Sequence, residues 1–157
     1  LRLAPGEKVR VGIISDLSQG VVDTIVTVDS QSGIGGIATS GLGGRSFTRG
    51  IASAVSVFAP NCIWADALAT HLANQTYVPS DQITRVKAGT LDPMSDIADL
   101  DVVVDVGQLS EAELISSLAN LSREAKKQYE SKLFLGLCAN VQNRHICYPE
   151  GFLQQIT

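Results

Sequence analysis

The stretch "ASAVSVFAPNCIWADALATHLANQ", residues 52–75, predicts a strand and a helix joined by one turn. Its first part, "ASAVSVFAP" (52–60), alternates along the chain with period two, which indicates a strand that ends at Pro60. Asn61 is a residue type that caps helices, and "CIWADALATHLANQ" follows it without a helix breaker. Because this helix is apolar almost all round, we expect it to be well buried.

The rest of the chain is rich in strands and has one further long helix. Ser110 and Glu113 form the sequence pattern of a capping box, which predicts a helix from Glu111 to Lys132. Residues 80–100 have no clear period and are predicted to be a mixed connector. Apolar or β-branched runs predict six more strands, at residues 8–14, 21–28, 35–41, 101–107, 133–142 and 144–148.

The order of these elements lacks the regular strand–helix alternation of a parallel sheet. We therefore predict one α+β domain over residues 1–157, a mainly antiparallel sheet with two long helices packed on one face. The chain has 157 residues and a net charge of −4, without the clustered lysines and arginines that nucleic-acid binding needs. No apolar run is long enough to span a bilayer, and no segment resembles a signal peptide. We expect a cytoplasmic protein with no nucleic-acid or membrane partner, and a homodimer paired through an edge strand.

A glycine-rich stretch, "GGIATSGLGGRSFTRG" (35–50), is the least ordinary part of the sequence. It lacks the lysine of a Walker loop, and it leads into a strand and not into the helix of a Rossmann fingerprint. Glycines let successive backbone N–H groups point at one anion, and arginine matches phosphate geometry. The alternative is a wide hairpin whose glycines only permit tight turns. If an anion binds, the expected contacts are Thr39, Ser40, Gly41, Gly43, Gly44, Arg45, Ser46 and Arg49.

The predicted helix after Pro60 carries an unexpected polar pair. Asp66 and Thr70 are four residues apart, so their side-chain oxygens lie on one helical face. Together with a phosphate held by the glycine-rich stretch, they could ligate Mg²⁺, which prefers oxygen ligands. The alternative is a solvent-facing aspartate. His71 lies next to this face and is the one candidate for catalytic proton transfer, although a lone helical histidine is more often structural than catalytic.

The three cysteines, Cys62, Cys138 and Cys147, have no regular spacing, which argues against a disulfide framework. The spacing of Cys138, His145 and Cys147 fits no compact zinc motif. We expect buried thiols.

The segments "ATSG" (38–41) and "SAVSVFAPNCIWADALAT" (53–70) resemble the signature of the ApbE family. Members of that family are flavin transferases that attach FMN from FAD to a threonine or serine of a target protein. The similarity covers residues 36–72 and resembles the later half of longer proteins. Its loop looks like that of an ApbE-related family with a "TSG-x-GGRS" pattern. The fold that the resemblance implies is an α+β arrangement of T-fold-like units.

The resemblance implies that Asp66 and Thr70 hold Mg²⁺ and that the "ATSG" backbone lies against a bound flavin nucleotide, FAD or FMN. The transferases also carry an H-x-x-D-P-x-T-G stretch, which "GGRSFTRG" (43–50) replaces here. The expected function is therefore binding of a flavin nucleotide or a similar phosphate or carboxylate compound with Mg²⁺, and the implication does not extend to FMN transfer. The alternatives are a non-catalytic nucleotide-binding module and a metal-assisted enzyme acting on a small anionic metabolite.

Overall fold

The computed structural model describes residues 3–16, 20–44 and 46–156, apart from the side chain of Gln155. Within these ranges the chain is α+β with antiparallel strands, as predicted. The elements in chain order are β1 (Lys8–Ile13), β2 (Thr24–Asp29), β3 (Gly36–Ser40), β4 (Ala54–Ala59), α1 (Cys62–Asn74), β5 (Ile83–Lys87), α2 (Ala88–Leu91), β6 (Asp101–Val106), α3 (Glu111–Glu130), β7 (Gly136–Val141), β8 (Arg144–Tyr148) and α4 (Phe152–Ile156).

The described strands form three antiparallel sheets rather than one. The largest has the order β3-β4-β7-β8, and β1 pairs with β2 and β5 with β6 in two separate ribbons. Every residue of β4 is buried, because this strand is central in the sheet and covered on both faces. The predicted single sheet is therefore divided, and the two long helices pack against its four-stranded part.

Alternation along β4 separates two hydrophobic cores. Val55 and Val57 face α1 and α3, while Phe58 faces the β1–β2 ribbon and α4. The ring of Phe58 lies 5.0 Å from that of Phe152 in α4. The four-stranded sheet thus has helices on one face and a strand ribbon on the other.

Helix α1 begins as predicted, because Asn61 Oδ1 accepts a hydrogen bond from the Trp64 backbone N–H at 2.9 Å. The expectation that it is buried all round is wrong, since Ile63 is 76% and Trp64 42% exposed. Only one stripe is covered, and its alanines allow close approach to β3 and β4. The buried residues are Ala65, Leu68, Ala69, Leu72 and Ala73.

The sequence pattern missed three short elements. Strand β5 and the single-turn helix α2 lie in the segment predicted to be a connector, and α4 follows β8. Strand β5 is half-exposed and polar, so it lacks the apolar run by which a buried strand is recognised. The predicted capping box of α3 is present, with Ser110 and Glu113 bonding each other's backbone N–H. No helix in the described ranges is both long and apolar enough to cross a membrane.

Candidate functional site

The glycine-rich loop joins β3 to β4 and closes tightly on its own backbone. Gly41 has φ +153°, and a Cβ there would lie 2.6 Å from the Ser53 carbonyl oxygen. Gly43 has φ +79°, a conformation that favours glycine. The close approach seen at Gly41 is therefore to the chain itself, which is what the tight-turn alternative requires.

A cavity of about 500 Å³ lies between this loop and β6. Its walls carry two carboxylates, Asp16 and Asp105, which disfavour an anion there. Four of the predicted ligand-binding residues line it, namely Gly41, Gly43, Gly44 and Ser46.

Two other predicted ligand-binding residues do not line this cavity. Thr39 and Ser40 are in β3, and the Thr39 hydroxyl shares a hydrogen bond of 2.7 Å with the Ser56 hydroxyl. Arg45 is outside the described residues. The predicted set therefore does not converge on one cavity.

The end of the loop is fixed to the C-terminus of α1. Asn74 Oδ1 accepts a hydrogen bond of 2.8 Å from the backbone N–H of Arg49. Thr76 Oγ1 accepts from the backbone N–H groups of Ile51 and Ala52 at 2.8 and 3.0 Å, and donates to the Ala73 carbonyl at 2.6 Å. This hydroxyl uses both acceptor positions and its only proton, so it holds the two segments in one geometry.

Beside this junction Arg49 and Arg85 line the same small pocket. A pocket of about 210 Å³ is lined by Arg49, Asn74, Gln75, Tyr77 and Arg85. The Arg85 guanidinium lies 4.7 Å from the centre of the Tyr77 ring. We call these five residues the arginine pocket.

The charges near the arginine pocket are mainly positive. Asp101 accepts from Arg85 Nη2 at 2.8 Å and lies 2.9 Å from Lys87 Nζ. Hydrogen bonds from Lys87 and Arg85 hold the pKa of the Asp101 carboxyl below its usual value, so it is ionised. The hydrogen bond with Tyr77 raises the pKa of Arg85 further. Two cationic side chains thus share the Asp101 carboxylate, and Arg49 adds a third positive charge at the pocket.

Asp66 and Thr70 are both exposed on the outward face of α1. Asp66 is eight residues before Asn74, or about 12 Å along the helix axis, so it does not contact the arginine pocket. Within the described part of the chain, no cluster of three or more His, Cys, Asp or Glu side chains could hold a metal ion. The magnesium role of this pair stays a prediction, but the structure does not bring it together with the loop.

His71 faces α3. Its Nε2 lies 3.0 Å from Glu124 Oε1. Hydrogen bonds from His71 and from Gln128 lower the pKa of the Glu124 carboxyl. The contact links α1 to α3, so His71 has a structural role. The catalytic role of His71 stays a prediction.

Sequence reasoning selected Arg49 but missed Arg85 and Tyr77. Arg85 lies in β5, which was predicted to be a connector. The alternation of charged and apolar residues in "ITRVK" (83–87) was the available signal, and it is too short to stand alone.

Comparison with known proteins corrects the resemblance to ApbE. The family model that matches is described as AbpE bacteria, and it covers residues 1–147. Despite the similar spelling this is a different family, so the assignment to the ApbE superfamily is wrong. The expectation of bound FAD or FMN loses that support and remains untested. Neither a curated protein nor a solved structure matches the chain. The match spans most of the sequence, and the chain belongs to the AbpE bacteria family.

Proposed function

We propose that this protein binds a small phosphate or carboxylate compound in the arginine pocket. The observation that carries the proposal is the approach of Arg49 and Arg85 to one small cavity. Guanidinium groups have planar, forked donors that match the oxygens of such anions. The amides of Asn74 and Gln75 and the hydroxyl of Tyr77 add neutral hydrogen-bonding groups on the same wall.

The local charge supports an anionic ligand. The whole chain has a net charge of −4, yet two arginines line this pocket, and Asp101 is paired with Arg85 and with Lys87 beside it. Arg49 has no ion-pair partner among the described residues. Arg85 uses Nη2 on Asp101, which leaves other guanidinium donors for a ligand. A positive patch on an acidic protein attracts anions and repels cations.

The pocket supports binding rather than bond cleavage. Its described lining residues include no cysteine, histidine or carboxylate that could serve as nucleophile or general base. Arg49 and Arg85 are also exposed, so screening by water and salt limits the affinity.

Titration with inorganic pyrophosphate, followed by backbone amide NMR, tests the proposal. The expected result is saturable shifts at Arg49, Asn74, Gln75 and Tyr77, which weaken as salt is added. Arg49→Gln or Arg85→Gln should raise the dissociation constant several-fold. Arg123→Gln, an exposed charge removal on α3, is the matched control.

Shifts that do not saturate, or equal weakening by all three substitutions, would mean that only general electrostatic attraction acts. Either result rejects the arginine pocket as a ligand site. Citrate in place of pyrophosphate shows whether the pocket accepts carboxylates as well as phosphates.

Three other predictions are kept as proposals. Asp66 and Thr70 bind Mg²⁺ as a separate site on α1, which calorimetric titration with MgCl₂ tests by comparing the wild type with Asp66→Ala. A homodimer is tested by light scattering of the purified protein. A cytoplasmic location is tested by cell fractionation.

A further inference from the structure

A cavity of about 380 Å³ lies on the sheet face opposite α1 and α3, beneath the β1–β2 ribbon. Four of its lining residues come from the β7–β8 hairpin: Cys138, Asn140, His145 and Cys147. The spacing along the two strands puts all four on one face, because side chains alternate with period two. Two of the three thiols expected to be buried therefore line a cavity, and Cys62 is exposed.

The geometry of the hairpin places the two cysteines directly opposite each other. Gln142 and Asn143 have φ values of +45° and +65°, which indicate a two-residue type I′ turn. Hydrogen-bonded and non-hydrogen-bonded pairs alternate away from this turn, so the Cys138–Cys147 pair is non-hydrogen-bonded. Such pairs have Cα atoms about 4.5 Å apart, within the range that a disulfide spans. The two sulfur atoms are 3.0 Å apart.

The contact makes the two thiols chemically unequal. The hydrogen bond with Cys147 and burial both raise the pKa of the Cys138 thiol. The hydrogen bond with Cys138 lowers the pKa of the Cys147 thiol. Cys147 is therefore the thiolate that attacks first, and Cys138 is the thiol that resolves.

The cavity wall also contains an unsatisfied buried acceptor. Asn140 is 2% exposed, and its Nδ2 donates to the Ser15 carbonyl at 3.0 Å. Its Oδ1 has no hydrogen-bond partner among the described residues. A buried acceptor of this kind normally has a donor, and an amide N–H of a molecule in the cavity would supply it.

The adjoining wall carries an acidic group. Burial by itself raises the pKa of Asp23, but hydrogen bonds from Ser15 and Thr24 and the nearby His145 lower it below the usual value. Asp23 is thus ionised and can also accept from a donor in the cavity.

We propose that Cys138 and Cys147 form a cavity-facing dithiol that exchanges with a low-molecular-weight, amide-bearing disulfide such as glutathione disulfide. The Cys147 thiolate attacks one sulfur of that disulfide, a Cys147–S bond forms, and the first glutathione leaves as a thiolate. The Cys138 sulfur then attacks Cys147, the mixed disulfide breaks, and the second glutathione leaves. The protein loses two hydrogens, which end on two glutathione thiols, so the exchange is balanced. This proposal is independent of the arginine pocket.

The test is intact-mass analysis of the folded chain, reduced, freed of reductant and incubated with glutathione disulfide. Cys62→Ser should lose two hydrogens, and the wild type should lose two hydrogens and also gain one glutathione on the exposed Cys62. In both, peptide mapping should link residue 138 to residue 147. Cys138→Ser should instead retain one glutathione on Cys147, because the resolving thiol is missing. Glutathione on the exposed Cys62 in the same wild-type sample shows that the reagent is active.

Glutathione on Cys62 without a Cys138–Cys147 link would overturn the proposal, and so would a link that involves Cys62. Asn140→Ala should slow the reaction of Cys147 with glutathione disulfide while leaving its reaction with diethyl disulfide, which has no amide, unchanged. If Asn140→Ala changed the rate by the same factor with both reagents, recognition of the amide by Asn140 would be rejected.

Discussion

The Thr76 hydroxyl is expected to be one of the most important single polar groups for stability. It is fully buried and joins the end of the glycine-rich loop to α1 through three hydrogen bonds. Thr76→Val keeps the shape but removes the acceptor of the Ile51 and Ala52 backbone N–H groups. A buried donor left without a partner costs about 1–3 kcal/mol, so two such groups cost about 2–6 kcal/mol. A domain of this size is stabilised by about 5–15 kcal/mol, so the loss is a large fraction.

Urea denaturation followed by far-UV circular dichroism measures this loss from the shift in the unfolding free energy. Thr76→Ser is the matched control, because it keeps the hydroxyl and loses one methyl group, at a cost of about 1 kcal/mol. We expect Thr76→Val to be less stable than Thr76→Ser by at least about 1 kcal/mol. Equal stabilities would refute it, since the backbone donors would then have found other partners.

Three further outcomes follow from named contacts. Gly50→Ala should unfold at lower urea than the wild type, because the added methyl would overlap the Ala73 carbonyl oxygen; an unchanged midpoint would show that the loop can shift. Glu124→Gln should lose less than about 1 kcal/mol at pH 6, as expected for a partly exposed pair. Folding lowers the pKa of Glu124, so the stability difference between the wild type and Glu124→Gln should vanish as the pH falls from 4.5 through the pKa of the folded state. A stability difference that persists in acid would contradict the His71–Glu124 pairing as its cause. Alkylation of Cys147 by iodoacetamide, followed by peptide mapping, should show a rate profile inflecting below pH 9, and Cys138→Ala, which removes the hydrogen-bond partner, should move the inflection upward.

Several elements could be predicted because their signals are local. The Asn61 cap and the capping box of α3 involve residues within one helical turn, so the starts of both helices could be read directly. Asn143, in the turn between β7 and β8, is likewise a residue type that tolerates positive φ. Antiparallel strands were predictable from the order of elements, but their division among three sheets was not.

The expected burial of α1 was wrong because burial depends on packing partners that are distant in the sequence. Helix α1 looked apolar on all sides, yet only the stripe that meets β3 and β4 is covered, which leaves Asp66 and Thr70 in solvent.

The short motif similarity to ApbE covered residues 36–72, whereas the match to the AbpE bacteria family covers residues 1–147. A short motif records local geometry and does not by itself assign a family.

The sequence alone determined the strand–helix unit around residues 52–75, the helix caps, the tight hairpin turn and the positive charge at Arg49, because each depends on neighbours a few residues away. Only the tertiary structure decided that Arg49 lies beside Arg85, which is 36 positions later, and that Cys138 faces Cys147 across a cavity. Strand pairing and helix packing bring such residues together through contacts between segments far apart in the chain, and no local pattern encodes that proximity.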